Sequence, residues 1–211
     1  MSSFLGIDAP CAHEIEKIKG SRFLGFAFPV RDEEEALALV AEKRKQFHDA
    51  RHWCWAYRLG IQGDRFRYQD DGEPSGTAGL PILKEIDARG LTDVLVLVVR
   101  YFGGTKLGTG GLARAYAQAA REVLERAALV EVRIDRPVRV SFSYEDTSAV
   151  QSVLHRFQQQ AIEATYGERT ELLFSVPSAQ AESFAQALRD ATSNRAQIQI
   201  GPEAPGQRTP R

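Results

Sequence analysis

Cysteine is scarce in this sequence, with only Cys11 and Cys54 in 211 residues. A disulfide-stapled secreted fold needs a denser set, so both are read as reduced thiols. Long apolar runs are also missing. No stretch approaches the roughly 18 apolar residues of a membrane span, and Ser2 to Lys17 has neither the basic start nor the apolar core of a signal peptide. A cytoplasmic protein with no membrane partner is the expectation. Nor is there a surplus of positive charge, since 27 Lys and Arg face 28 Asp and Glu for a net charge of −1. Up to Arg133 the count is 19 of each sign. A domain that held duplex DNA mainly by counterion release would show a basic excess, so any polyanion contact is confined to a local patch. The remaining composition, 43% hydrophobic and 26% charged, is ordinary for a soluble globular chain, and the length suits one or two domains.

Glycine is unevenly spread. Nine of 17 glycines fall between Gly72 and Gly111. Glycine surrenders the most backbone freedom on folding, so a folded chain concentrates it where the backbone needs unusual angles or close approach. The two clusters, DDGEPSGTAG and GGTKLGTGG, flank the apolar run Val94 to Val99. That run has the length and β-branched content of a buried strand. The two loops are therefore expected to be neighbours, with the second opening into a helix.

Along the chain, Met1 to Gly20 reads as an irregular lead-in and Ser21 to Val30 as a strand. Asp32 caps a helix through about Phe47, whose acidic first turn and basic last turn suit the helix dipole. His48, His52 and Cys54 have a spacing that raises zinc. A strand from Trp53 to Leu59 breaks the helical geometry between them, and no second ligand pair is evident. A hairpin partner follows at Asp64 to Tyr68, and Ser75 or Thr77 caps the next helix to about Ala88. After the buried strand, Arg100 is expected at the strand end, and a helix runs from Leu112 to about Leu129 with Leu112, Tyr116, Ala119, Val123 and Leu124 inward. From Pro137 the pattern becomes βαββαβ, the split βαβ of ferredoxin-like domains, with Asp146 and Ser178 capping its helices. Pro-rich residues 202–211 are expected to be a disordered tail. The fold class is thus α+β in two domains, 1–133 and 134–201.

A strand, a glycine-rich loop and a helix N-terminus bring unpaired backbone N–H groups to one place, where the helix dipole adds about half a positive charge. Arg100, Lys106 and Arg114 would add full charges, and Gly108, Gly110 and Gly111 would supply amides. This predicts an anion site, most simply for phosphate, with Ser75 and Thr77 among its ligand-binding residues. Lys106 is not followed by Ser or Thr, so a Walker P-loop fails. Gly108, Gly110 and Ala113 match GxGxxA and Glu131 follows about 20 residues on, but a dinucleotide fingerprint follows its strand immediately, whereas five residues separate Phe102 from Gly108. The carboxylates Asp70, Asp71 and Glu73 read either as a solvated turn or as a shelf of hard oxygens for Mg²⁺. No confident metal ligands emerge.

The segments DDGEPSGTAGLPIL and VRYFGGTKLGTGGLARAY, with DARHWCWAYRLG upstream, resemble the YigZ/IMPACT family in its bacterial form. The resemblance implies a first domain like elongation factor G domain IV, a small-subunit ribosomal protein and the GHMP kinases, including a left-handed βαβ crossover. It implies a second domain like the ferredoxin-like domain of the same factor. It further implies contact with RNA or the ribosome. Eukaryotic relatives regulate translation through an N-terminal domain that binds a stress-kinase activator, for which there is no room before Phe23. Three functions follow. The first is an RNA- or ribosome-associated binding protein, a translation regulator, with Tyr101 and Phe102 available to stack on bases. The second is a Mg²⁺-dependent enzyme on a phosphorylated small molecule or nucleotide, with Asp70, Asp71 and Glu73 as acid, base or metal ligands. The third is an architectural role in which those carboxylates pair with Arg100 or Arg114.

Overall fold

A computed structural model describes residues 2–211. In chain order the strands and helices are β1 (Ser3–Ile7), β2 (Cys11–Glu14), β3 (Arg22–Pro29), α1 (Glu33–Gln46), β4 (His52–Leu59), β5 (Arg65–Gln69), α2 (Gly79–Ala88), β6 (Val94–Tyr101) and α3 (Gly108–Arg126). They continue as β7 (Leu129–Phe142), a 3₁₀ turn, α4 (Thr147–Phe157), β8 (Glu163–Tyr166), β9 (Thr170–Pro177), α5 (Ser178–Ala191), β10 (Gln197–Ile200) and β11 (Ala204–Pro210). This is a mixed α+β chain with two sheets. It divides into one unit of Phe4–Glu131 with Thr209–Arg211, and another containing Val132–Arg208.

The first unit is organised by β6. Its apolar run makes it the middle of a five-stranded sheet ordered β2-β3-β6-β4-β5, antiparallel to both neighbours. Val94, Val96 and Val98 point to one face, where Ala27, Cys54 and Ala56 meet Ile82 and Ile86 of α2 and Leu112, Ala119 and Val123 of α3. Leu95, Leu97 and Val99 point to the other, where Phe26, Phe28, Trp55 and Tyr57 meet Ala36 and Val40 of α1. A strand buried on both faces reads as a continuous apolar run for this reason.

This layering fixes an uncommon topology. β3 and β4 are parallel to each other, separated by β6, and joined through α1. β5 and β6 are likewise parallel, separated by β4, and joined through α2. Relative to their own strand directions, the two crossovers step the same way across the sheet. They pass over opposite faces, so they have opposite hands, and one of them departs from the right-handed rule.

The second unit runs β7-α4-β8-β9-α5-β10, the order of a split βαβ. β7 pairs with β9 and β10 along the same residues and β8 pairs with β9. Val138, Val140, Phe142, Phe174 and Val176 of the strands pack on Val150 and Leu154 of α4 and Phe184 and Leu188 of α5.

Several sequence expectations are corrected. The lead-in is not irregular, because β1 and β2 form there. The Pro-rich tail is not disordered, since Ala204–Pro210 is a strand on β7. Its Pro205 and Pro210 suit an edge, where a missing N–H need not face a ladder. Asp146 stands at the N-cap of α4 without capping it. Its carboxylate is taken by Arg195 Nη2 at 2.5 Å. Ser178 begins α5, but its hydroxyl donates to Glu203. By contrast, Asp32 does cap α1, accepting from the Glu35 amide at 2.8 Å.

Candidate functional site

The three carboxylates of the first glycine cluster each have a separate structural task. Asp70 directly follows β5 and turns back over the loop. Its oxygens accept from the amides of Gly76, Ala78 and Gly79 at 2.8, 3.0 and 2.8 Å. It therefore caps α2 from outside the helix, in place of Ser75 or Thr77. Ser75 is exposed, and the Thr77 hydroxyl donates to the Pro74 carbonyl at 2.6 Å. Asp71, at a φ of +43°, accepts from the Trp53 amide at 2.8 Å and from Arg44 at 2.7 Å. Glu73 is buried, and its Oε1 accepts from Arg100 Nη1 at 2.5 Å and from the Tyr116 hydroxyl at 2.8 Å.

Around Glu73 lies a polar cluster inside an otherwise apolar layer. The Asp71 carbonyl can only accept, so His52 carries its proton on Nδ1 to make their 2.9 Å bond. Its Nε2 then faces Glu73 Oε1 at 3.8 Å. Cys54 Sγ lies 3.0 Å from the Asp70 carbonyl and 3.3 Å from the Tyr116 hydroxyl. Burial pushes the Cys54 thiol well above its ordinary range, the Tyr116 bond opposing. Burial likewise pushes up the Tyr116 phenol, assisted by the neighbouring Cys54 and Glu73. Neither group is a ready nucleophile or acid at neutral pH. Phe23 meets the Tyr116 ring edge-on at 5.3 Å, and the Arg100 guanidinium sits 5.5 and 5.6 Å from the Phe23 and Phe102 rings.

These contacts correct the expected roles. Arg100 is not available to a phosphate. It is 5% exposed and engaged by Glu73, with Ser21 Oγ 3.4 Å from its Nη2 and its buried Nε unpartnered. Asp70 and Asp71 do not fit a Mg²⁺ shelf, because their oxygens already hold amides and a guanidinium. Among the described residues no group of three or more His, Cys, Asp or Glu is placed to hold a metal. His48 is exposed, while His52 and Cys54 face the loop carbonyls rather than each other.

The second cluster is different. α3 starts at Gly108, four residues earlier than the apolar pattern suggests, so Gly108, Gly110 and Gly111 lie in its first turn. The amides of Gly108, Thr109 and Gly110 have no intrahelical carbonyl to bond. Leu107 at the N-cap offers no side-chain acceptor, and Gly108 to Gly110 are exposed. Gly108 has φ +72°, an angle that favours glycine. Gly103, at the start of the loop, packs so closely that an added Cβ would lie 1.9 Å from the Gly20 carbonyl carbon. Lys106 and Arg114 are exposed and make no ion pair among the described residues. Glu73, bonded to Arg100 at the end of β6 and to Tyr116 in α3, ties the first loop to both ends of the second.

The sequence reading missed Ser21, Arg44, His52, Cys54 and Tyr116 as partners of this arrangement. One signal was present for Tyr116, since a tyrosine on the apolar face of a helix needs a partner for its hydroxyl.

Comparison with known proteins covers both units. The family described as the Impact N-terminal domain matches residues 19–124, and a domain of unknown function, DUF1949, matches residues 140–195. The chain is 34% identical to the IMPACT family member YvyE of Bacillus subtilis, over 95% of this chain and 92% of that one. It is 31% identical to the IMPACT family member YigZ of Escherichia coli, over 94% and 98%. A crystal structure of a hypothetical protein superposes with a TM-score of 0.72 at 30% identity, covering 94% of this chain and 97% of that one. The match to the Impact N-terminal domain takes in both glycine clusters and the strand between them, and with the two full-length likenesses it shows that this chain belongs to the IMPACT family.

Proposed function

We propose that this protein binds RNA or the ribosome through the start of α3, in the cytoplasm, and acts in translation. The observation that carries the reading is the set of exposed amides at Gly108, Thr109 and Gly110, which no carbonyl of their own helix can reach, beside Lys106 and Arg114, which make no ion pair among the described residues. Such a helix start receives phosphate oxygen through N–H groups and dipole together. The near-neutral net charge limits the contact to a few phosphates. The paired crossovers of opposite hand support a likeness of the first unit to elongation factor G domain IV and its ribosomal-protein relative. The βαββαβ unit supports the companion likeness. A Mg²⁺-dependent enzyme is the weaker reading, because the carboxylates it requires are held by amides and guanidinium groups.

The test is co-sedimentation with ribosomes and binding to single-stranded RNA across a salt series. The double substitution Lys106→Ala with Arg114→Ala should weaken both. It should also lower the salt slope by about 0.7 per lost phosphate contact on a single strand. Binding and slope equal to wild type would refute the reading.

A further inference from the structure

Phe102 joins the end of β6 to the second glycine cluster, and it is 45% exposed. Its neighbour Tyr101 is already engaged on the α1 face of the sheet, where it packs with the cluster of Phe26 and Trp55. The Tyr101 hydroxyl donates to Asp49 at 2.9 Å, and the Arg22 guanidinium sits 5.2 Å from its ring. Side chains alternate along a strand, so Phe102 follows Arg100 onto the other face, the one that carries α3. The Arg100 guanidinium, 5.6 Å from the Phe102 ring, agrees with that placement. Of the two aromatics expected to be available for stacking, Phe102 alone remains so.

A single exposed phenylalanine is ordinary on a protein surface. The position of this one is what matters. Glu73 Oε1 bonds both Arg100 and Tyr116, so these two are level with each other. Two residues back along β6, Val98 pairs with Gly25, where an added Cβ would meet Ala119 and Val123. β6 therefore runs antiparallel to α3, towards the start of the helix. Two residues beyond Arg100 is about 7 Å along a strand, and four residues before Tyr116 is about 6 Å along a helix. Phe102 is thus level with Leu112, directly beside the first turn at Gly108–Gly111.

The surroundings of that turn bear on the occupant. The Gly103 amide donates to Ser21 Oγ at 3.2 Å and its backbone packs on Gly20, which fixes the chain on one side of Phe102. Arg114 Nη1 lies 3.6 Å from where Gly110 would carry a Cβ, so its guanidinium reaches back to the first turn. Lys19 precedes Gly20 in the turn that packs on Gly103. It is exposed and, like Lys106 and Arg114, makes no ion pair among the described residues. Amides and cations beside one available ring suit a phosphate that carries a flat apolar group. A duplex keeps its base faces inside the stack, so the ring selects an unpaired nucleotide.

We infer that Phe102 stacks on an unpaired base of RNA whose adjoining phosphate lies at the start of α3. The inference rests on the reading given under Proposed function and adds where the base goes and that it must be unpaired. Every base has a π-face, so a single aromatic ring accepts it with little sequence preference.

The experiment uses the full chain and two fluorescein-labelled probes, a twelve-nucleotide oligouridine and an abasic ribose-phosphate oligomer of the same length. Phe102→Ala should weaken oligouridine binding about fivefold or more, leaving the abasic probe and the salt slope unchanged. Phe102→Leu keeps an apolar side chain beside Arg100 and should lose as much, whereas Phe102→Tyr should keep wild-type affinity. Wild-type oligouridine affinity in the alanine or leucine variant, or an equal loss on both probes, overturns the inference. The phosphate reading would still stand if Lys106→Ala with Arg114→Ala weakened both probes alike. A wild-type protein that bound neither probe would overturn the two together. Ribosome co-sedimentation lost in Phe102→Ala while oligouridine binding persists would assign the ring to a protein contact and overturn the stacking role.

Discussion

Glu73 and Arg100, 27 residues apart, meet at 2.5 Å with their side chains only 4% and 6% exposed. One comes from the first glycine cluster and the other from the end of β6, so the pair fastens loop to sheet. The enzyme reading had the carboxylates facing a ligand, and the architectural reading had them facing Arg100 or Arg114. Here they face the protein.

Removing one member of such a pair leaves the other charge buried and alone, at a cost of about 3–5 kcal/mol. Glu73→Ala should therefore lower stability by that order, read as a reduced urea midpoint with unchanged m. Adding Arg100→Met to Glu73→Ala should recover a good part of the loss, because the uncompensated charge goes with it. Strictly additive losses would argue that the two side chains act independently.

Asp70 makes a separate prediction. Asp70→Ala strips the acceptor from three amides at the start of α2. A lost cap alone costs about 0.5–2 kcal/mol, and unsatisfied buried donors add to it. Hydrogen exchange at Gly76, Ala78 and Gly79 should accelerate ahead of the rest of the unit. Unchanged protection there would mean that another group takes over the cap.

The two cysteines should separate cleanly under a thiol reagent. Cys54 is fully buried with its thiol pushed up by that burial, while Cys11 is partly exposed. Titration of the native protein at pH 8 should modify Cys11 alone, with Cys54 reacting only after denaturation. Rapid modification of Cys54 in the native state would show that the Glu73 cluster opens readily.

Acid should weaken the second unit through two aspartates. The hydrogen bond from Arg195 holds the Asp146 carboxyl below its usual range. For Asp135 burial opposes ionisation, but hydrogen bonds from Arg133 and Ser175 outweigh it and the result is again a lowered pKa. With folded values below unfolded ones, the unfolded chain binds more protons in acid. The stabilisation is complete above about pH 5 and fades as pH falls through the folded values. Thermal melts between pH 7 and pH 3 should show a shallower acid dependence in Arg195→Ala than in wild type. Identical slopes would remove Asp146 from the account.

What the sequence disclosed was local. The run Val94 to Val99 announced β6, the spacing of Leu112, Tyr116, Ala119 and Val123 gave the inner face of α3, and Asp32 before three glutamates gave the start of α1. What it withheld depended on distant partners. Asp70 caps a helix that begins nine residues later, so proximity favoured Ser75 and Thr77. Arg100 looked free because Glu73 lies in another loop, and Asp146 looked like a cap because Arg195 is 49 residues away. The short strands β1, β2 and β11 carry little periodicity of their own and exist through the neighbours they pair with. That a helix opens out of the second glycine cluster was legible from the order of strand, glycine-rich loop and apolar periodicity, although the helix begins earlier than its apolar residues do.

The place of β6 also bears on when this unit can assemble. β3 and β4 are both synthesised before the strand that must lie between them, and neither bonds the other. A nascent chain that has exposed everything up to Asp93 therefore holds a sheet with its keystone absent and its Phe26, Trp55 and Tyr57 surfaces still open to water. Consolidation waits until Val94–Tyr101 clears the exit tunnel. Early arrest of synthesis in this region would leave an aggregation-prone fragment rather than a half-finished domain.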